Sequence, residues 1–300
     1  MEERMFKYNF AIIGGDSRIS CMASILAKEG YSVACFGVAC FGVAPCGAED
    51  APDIHTADSL RAAVEGAGVI IAGIPFAKND CLYCEGSSEE IKLAELQRCL
   101  RKHQKIFGGV IPDAFRRTCE ERDIECYDFM ADEPITLFNA IATAEGAVLE
   151  ALAHKQTNLH MSSALVLGYG RCAKTLADKL KGLSAKVTVC SADENELALA
   201  AALGFNTIPL SRLDAKIGSF EYIFNTIPAK VLTKETLEKT DKEALIIDIA
   251  SNMAGADYDA AKSLGVNILF CPGLPGKYAC KSCAERLAKY VIAKSGYGQT

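Results

Sequence analysis

Short apolar runs recur along the first half of the chain at 9–13, 32–38, 68–74, 105–111 and 124–129. Between them, stretches near 19–29, 57–65, 88–101 and 113–122 carry helical patterns. Strand-like runs that alternate with helices predict a parallel sheet covered on both faces. This unit should close near Asp132-Glu133-Pro134, giving a first domain over 1–134. Residues 135–155 form a long helical pattern rich in alanine and leucine, interrupted at Glu145-Gly146. Such a segment can cross between domains, so 135–157 is predicted as the link. The scheme then repeats, with strands at 163–168, 186–190, 205–208, 221–227, 244–250 and 266–271. Helices are predicted between these strands at 171–182, 193–203, 233–240 and 257–264. A last helix near 278–294, within the segment 277–300, can return to the first domain.

The strand at 163–168 runs into Gly168-Tyr169-Gly170-Arg171-Cys172-Ala173. In this spacing the first glycine permits a tight turn and the second lets backbone approach a pyrophosphate. The alanine keeps the helix close to the strand. The helix N-terminus offers amide donors and partial positive charge to phosphates. A strand before the motif and a helix after it supply the context of a dinucleotide fingerprint. The fold class predicted is therefore α/β. Two doubly wound parallel-sheet domains flank a cleft, the first flavodoxin-like or Rossmann-like, the second (158–276) a Rossmann cofactor domain. Arg171 lies within reach of a phosphate.

NAD enzymes usually place Asp or Glu at the end of the second strand of such a domain, on the ribose hydroxyls. Here that strand ends Val189-Cys190-Ser191. Cys190 cannot accept as a carboxylate does, and Ser191 can donate to a 2′-phosphate, which favours NADP over NAD. No arginine follows, however, and Asp193 and Glu194 stand close by. Three further strand ends can hold the nicotinamide half: Asn225-Thr226-Ile227-Pro228, Asp248-Ile249-Ala250-Ser251-Asn252, and the turn of Pro272, Gly273, Leu274, Pro275 and Gly276. The prolines stiffen that last turn.

The first domain has its own glycine turn, Gly14-Gly15-Asp16-Ser17-Arg18, without the fingerprint spacing. A carboxylate ligand suits it better than a second dinucleotide, with Arg18 pairing bidentately beside a helix start. Gly15, Asp16, Arg18, Arg116 and Thr143 are the candidate substrate-binding residues. Lys277 is a candidate anion ligand or acid–base group. Glu145, in an apolar helix, is the candidate proton acceptor, since a buried carboxylate needs a partner or a raised pKa. The histidines, His55, His103, His154 and His160, lie outside these loops and form no metal-ligand spacing.

With 300 residues, half of them hydrophobic, the chain can build two ordinary cores. A net charge of −6 argues against a nucleic-acid partner. No uninterrupted apolar run reaches membrane-span length, and the first residues lack the apolar core of a secretory signal, so the cytoplasm is expected. The 14 cysteines are dispersed, and free thiols are expected in a reducing compartment. Two CxxC pairs, Cys81/Cys84 and Cys280/Cys283, can supply thiolates or act as redox pairs, but neither sits in a zinc-ribbon pattern, and no metal is expected.

The set Ile12-Ile13-Gly14-Gly15-Asp16-Ser17-Arg18, Ala142-Thr143-Ala144-Glu145-Gly146, Val166-Leu167-Gly168-Tyr169-Gly170-Arg171, Asn225-Thr226-Ile227-Pro228, Asp248-Ile249-Ala250-Ser251 and Pro272-Gly273-Leu274-Pro275-Gly276 resembles the A subunit family of dipicolinate synthase, in order and spacing along nearly the whole chain. The resemblance implies oxidation of dihydrodipicolinate, or its hydrated tetrahydro precursor, to pyridine-2,6-dicarboxylate with a nicotinamide cofactor, usually NADP. It also implies a partner, the flavoprotein-like B subunit of the synthase, together with a small dicarboxylate substrate and a place in the mother-cell cytoplasm during sporulation. A homo-oligomer is compatible with it. The family often carries glycine-alanine-arginine-serine after the second strand of the cofactor domain. This chain has Cys190-Ser191-Ala192-Asp193 there, without the arginine that would hold a 2′-phosphate. Two other readings stay open: a different two-domain amino-acid or hydroxy-acid dehydrogenase, and a non-catalytic cofactor-binding or regulatory subunit.

Overall fold

The computed structural model describes residues 6–38, 53–86, 90–251 and 253–298. The N-terminal residues 1–5, the start of the helix predicted over 88–101, and Asn252 lie outside them. The chain divides into two compact units. One runs as far as Thr136 and resumes at Ala279; the other is Leu137–Tyr278.

The first unit holds strands β1 (Tyr8–Ile13), β2 (Val33–Phe36), β3 (Ile54–Thr56), β4 (Ala67–Ile71), β7 (Lys105–Gly108) and β8 (Glu125–Asp128), and a small antiparallel ribbon of β5 (Ala77–Lys78) and β6 (Cys81–Leu82). Its helices are α1 (Ser17–Lys28), α2 (Leu60–Gly66), α3 (Leu93–Cys99) and α4 (Asp113–Glu121). The main sheet is parallel, in the order β3-β2-β1-β4-β7-β8. Of the two orders left open by the sequence, this is the Rossmann one, with the chain reversing direction beside β1. The central strands are apolar on both faces: Phe10, Ala11, Ile12 and Ile13 are fully buried. Each large side chain so buried contributes about 1.5–3 kcal/mol. Helix α11 (Cys280–Ser295) packs on α1 through Leu287, Ala288 and Val291.

The second unit repeats the plan. Strands β9 (Ser163–Leu167), β10 (Lys186–Ser191), β11 (Asn206–Pro209), β12 (Tyr222–Asn225), β13 (Leu245–Asp248) and β14 (Asn267–Phe270) form a parallel sheet ordered β11-β10-β9-β12-β13-β14. The connecting helices are α6 (Arg171–Gly182), α7 (Glu194–Ala202), α8 (Lys234–Glu238) and α9 (Tyr258–Leu264). The stretch expected as a proline-stiffened turn is a short helix, α10 (Leu274–Tyr278). Helix α5 (Glu133–His154) buries Ala144, Ala147 and Ala151 in one core with Ala173, Leu176 and Ala177 of α6. By length and composition α5 is a candidate membrane span, with mean hydropathy 1.3. Half of that stretch is buried in protein, as a core helix requires.

Gly15 shows why the turn after β1 takes glycine. Its φ is +92°, and a Cβ there would stand 2.7 Å from the Ile19 Cβ. Gly15→Ala should therefore cost about 1–3 kcal/mol through backbone strain and overlap. Thermal unfolding measures this; an unchanged melting temperature would contradict it.

Candidate functional site

The loop that leaves β9 is built for close approach. Gly168 has φ +89°, its N–H donates to the Cys190 carbonyl at 2.7 Å, and a Cβ would meet Thr226 Oγ1 at 2.7 Å. Tyr169 turns inward and is buried, edge-on to Phe205. Gly170 differs. It is exposed, caps α6 without a side-chain hydrogen bond, and has open space where a Cβ would be. The first amides of α6 are therefore presented beside an uncovered stretch of backbone. Arg171 is exposed at the same end, and Ala173 is buried against the sheet. Cys172 is half-buried. Burial pushes its thiol up, while the Thr143 hydroxyl beside it and Arg171 pull the other way. Thr143 and Cys172 thus come together, although the sequence assigned one to substrate and the other to cofactor.

At the end of β10, Cys190 is fully buried and its thiol is pushed up to about 12 by that burial. Its side chain faces the core with Leu213 and Ile217. Ser191 is also buried, and its hydroxyl donates to Glu196 Oε2 at 2.6 Å while accepting from the Asp193 N–H at 3.1 Å. The end of this strand therefore carries a carboxylate after all. It is supplied from the first turn of α7, five residues downstream of Ser191.

The other strand ends are tied by a buried network. Asn225 and Asp248 are register partners on β12 and β13, and both are fully buried. Asn225 Nδ2 donates to Asp248 Oδ1 at 3.0 Å, and its Oδ1 accepts from the Ile227 N–H at 3.1 Å. The Tyr258 hydroxyl donates to Asp248 Oδ2 at 2.5 Å, and the Ala250 N–H to Oδ1 at 3.0 Å. Thr226 Oγ1 donates to the Leu167 carbonyl at 2.8 Å. These bonds fix Thr226 and Ile227 beside Gly168 and tie Ala250 to Asp248, with Pro228 and exposed Ser251 next in chain. Burial, then the bond to Asp248, pushes the Tyr258 hydroxyl well above its ordinary range. Tyr258 was missed as a site-forming residue, and Asp248 stood only as a strand end. The one available signal was the polar pair Asn225 and Asp248 closing two apolar strands.

Glu145 is not the buried carboxylate of α5. It is 59% exposed and bonded to Lys179 Nζ at 2.8 Å. The buried one is Glu150, whose side chain is 4% exposed. Lys277 Nζ and the Tyr278 hydroxyl both donate to Glu150 Oε1, at 2.6 and 2.7 Å. Burial pushes the Glu150 carboxyl up, but these two bonds and the Lys277 and His154 charges outweigh it and leave it below its ordinary range. Lys277 is raised by its own bonds to Glu150 and Tyr278 and stays cationic. A lowered folded pKa gives stabilisation that is complete above the ordinary 4.5 and is lost as pH falls through the folded value. Lys277→Met should cost about 1–2 kcal/mol near pH 7, less than a fully buried pair because Lys277 is 57% exposed. It should also flatten the acid limb of the stability profile. Urea melts from pH 3 to 7 test this, and superimposable profiles would contradict it.

In the first unit, Asp16 caps α1 by accepting from the Arg18 N–H at 3.0 Å. The Arg18 guanidinium bonds both Asp16 oxygens, with Nη2 at 2.5 Å, and also donates to the Ile74 carbonyl at 2.8 Å. Both side chains are buried. Arg116 Nη2 lies 3.3 Å from Asp128, which also accepts from the N–H groups of Val110, Ile111 and Met130. Among the described residues, no group of three or more His, Cys, Asp or Glu is placed to hold a metal ion.

Two successive doubly wound domains, the second with an open glycine turn at its first strand, define a two-domain α/β protein of the Rossmann class. Solved structures share that architecture. The A subunit of dipicolinate synthase from Bacillus halodurans superposes with TM-score 0.81 at 24% identity, over 97% of this chain and 98% of that one. The A chain of dipicolinate synthase from Bacillus subtilis gives 0.76 at 24%, over 98% of both. The transhydrogenase from Sinorhizobium meliloti gives 0.62 at 14%, over 95% and 94%. In sequence, residues 9–130 match the family model for the N-terminal domain of the dipicolinate synthase A subunit. The A subunit of dipicolinate synthase from Bacillus subtilis (strain 168) is 30% identical over 210 residues, which is 69% of this chain and 70% of that protein. The chain belongs to the A subunit family of dipicolinate synthase.

Proposed function

We propose that this protein oxidises a dihydropyridine dicarboxylate, or its hydrated tetrahydro precursor, to pyridine-2,6-dicarboxylate, with a dinucleotide held at the β9–α6 turn. Family membership supplies the substrate class. The observation that carries the cofactor is Gly170, exposed, uncapped and with free space over its backbone. The pyrophosphate lies on the α6 amides beside Arg171 and Cys172, and Gly168 and Tyr169 shape the turn. Thr226, Ile227, Pro228, Ala250, Ser251 and the Gly273-Leu274-Pro275 segment line the nicotinamide side. When bound, the nicotinamide supplies the hydride acceptor. The chain's own contribution is to align the ring, since aromatisation already favours the reaction.

The cofactor is NAD rather than NADP. Cys190 and Ser191 by themselves point to NADP, but Ser191 is engaged by Glu196, whose carboxylate would repel a 2′-phosphate. Each cation expected to clamp substrate already holds a carboxylate of this chain: Arg18 on Asp16, Arg116 on Asp128, Lys277 on Glu150. A dicarboxylate is taken by partner exchange, most readily at Lys277, the most exposed of the three. The Arg18–Asp16 pair instead holds the Gly15 turn in shape and would bind substrate only by opening. Glu145, exposed and paired with Lys179, can pass a proton to solvent rather than store one. The protein acts in the cytoplasm of the mother cell, and its partner is the B subunit. Calorimetry with dipicolinate, in the presence and absence of NAD, tests the substrate reading. Binding strengthened by NAD and weakened by Lys277→Met supports it; no heat at millimolar ligand in either condition overturns it.

A further inference from the structure

The proposed function makes no use of the Cys280/Cys283 pair, yet that pair sits in a cluster of three thiols. Cys280 is the first residue of α11, and its Sγ lies 3.7 Å from Cys21 Sγ on α1. Cys280 is half-buried and reachable from solvent, whereas Cys21 and Cys283 are buried behind it. The two helices are packed over their apolar faces, with Ile19, Met22 and Leu26 meeting Ala284, Leu287 and Val291 in one core. The contact between the two sulfurs is therefore held by the fold rather than met by chance. We propose that Cys21 and Cys280 are a reversible redox site that closes to a disulfide when the protein meets a peroxide.

The geometry favours Cys21 over Cys283 as the partner. Residues three apart on a helix have Cβ atoms about 5–6 Å apart, so the Cys280/Cys283 pair starts farther from bonding distance than two sulfurs already in contact. Burial pushes the Cys283 thiol up to about 11, against the pull of nearby Arg18 and with the push of Asp16 and Cys280, so it stays protonated at neutral pH. Bond formation shortens this 3.7 Å contact to the ~2.05 Å of a disulfide.

The chemistry balances with the peroxide as sole oxidant. The Cys280 sulfur attacks one peroxide oxygen, an S–O bond forms as the O–O bond breaks, and the thiol proton leaves with the other oxygen as water. The Cys21 sulfur then attacks the sulfenic sulfur. The S–S bond forms, the S–O bond breaks, and the Cys21 proton leaves with the hydroxyl as a second water. Both sulfurs are oxidised and the peroxide is reduced. The product ties the first and last helices of the first unit across 259 positions of sequence. A thiol reductant reopens it.

Peptide mapping decides the matter. The full-length protein is treated with a modest excess of hydrogen peroxide, denatured in acid, alkylated and digested without reductant for mass spectrometry. The expected result is a linked peptide pair joining Cys21 to Cys280, lost on dithiothreitol treatment, absent in Cys280→Ser and retained in Cys283→Ser. The oxidised protein should also melt higher, by about 5 °C or more, because a long loop is closed in the unfolded chain. A Cys280–Cys283 link overturns the proposal. So does Cys280 recovered only as sulfinic acid with Cys21 alkylated, or recovery of all three as free thiols.

Discussion

Gly170→Asp should leave the protein folded and remove its dinucleotide binding. Gly170 has φ −74°, which any residue adopts, and no atom lies within 4 Å of the Cβ it lacks. Asp is also a favoured N-cap, so α6 loses nothing and can gain roughly a few tenths of a kcal/mol over glycine. The new carboxylate would nevertheless occupy the space over the backbone, take the α6 amides as its own partners, and bring negative charge to a diphosphate. Losing two or more charge-assisted amide bonds costs about 3 kcal/mol or more, which is a weakening of at least ~100-fold. Calorimetric titration with NAD, alongside a melting curve, checks both the binding and the fold. Unchanged affinity would move the cofactor away from this turn. A large fall in melting temperature would instead show that Gly170 is needed for the fold.

NAD should bind more tightly than NADP, and Glu196→Gln should erase most of the difference. A doubly charged phosphate about 4 Å from a carboxylate loses about 2 kcal/mol even at the dielectric of bulk water, or roughly 30-fold in affinity. Glutamine keeps an acceptor for the Ser191 hydroxyl, which now donates to Glu196 at 2.6 Å, and removes only the charge. NADP should therefore gain in the variant while NAD changes little. Arg212 is exposed in the 3-10 turn after β11, and its substitution tests whether a cation opposes this. If NADP proves the tighter ligand and Arg212→Ala abolishes the advantage, the preference argued from Glu196 is wrong.

Glu196 also marks where sequence reasoning stops. The strands β9, β10, β12 and β13 were legible because they are short runs of Val, Ile, Leu and Phe buried on both faces, with turn residues at their ends. The helices α6 and α7 fell within a residue or two of the expected bounds. Strand β3 was missed because Ile54-His55-Thr56 lies at the sheet edge, where half-polar composition carries no pattern. The ribbon β5–β6 has two residues a side, too few for any period. Helix α10 was hidden by prolines, although Pro275 stands in the first helical turn, where its missing N–H costs nothing.

The site was legible at its glycines and not in its pairings. A burial pattern could have separated Glu145 from Glu150, since position 145 falls on the exposed side of α5 and 150 on the buried side. What no pattern could supply was the partner of each charge. Ser191 with Glu196, Arg18 with Asp16, and Lys277 with Glu150 are contacts made by folding. Each changes what the residue can do: a phosphate donor becomes a carboxylate holder, and a free clamp becomes a closed pair.

The central claim is that this chain makes pyridine-2,6-dicarboxylate with a nicotinamide cofactor. The direct measurement is the ultraviolet absorbance of dipicolinate, followed together with reduced cofactor. The purified protein would be supplied with enzymatically generated dihydropyridine precursor and NAD or NADP, with the B subunit present and absent. The account predicts dipicolinate and reduced cofactor appearing in equal amounts, faster with NAD, and abolished by Gly170→Asp. Reduced cofactor without dipicolinate, or dipicolinate formed at the same rate by Gly170→Asp, would contradict it.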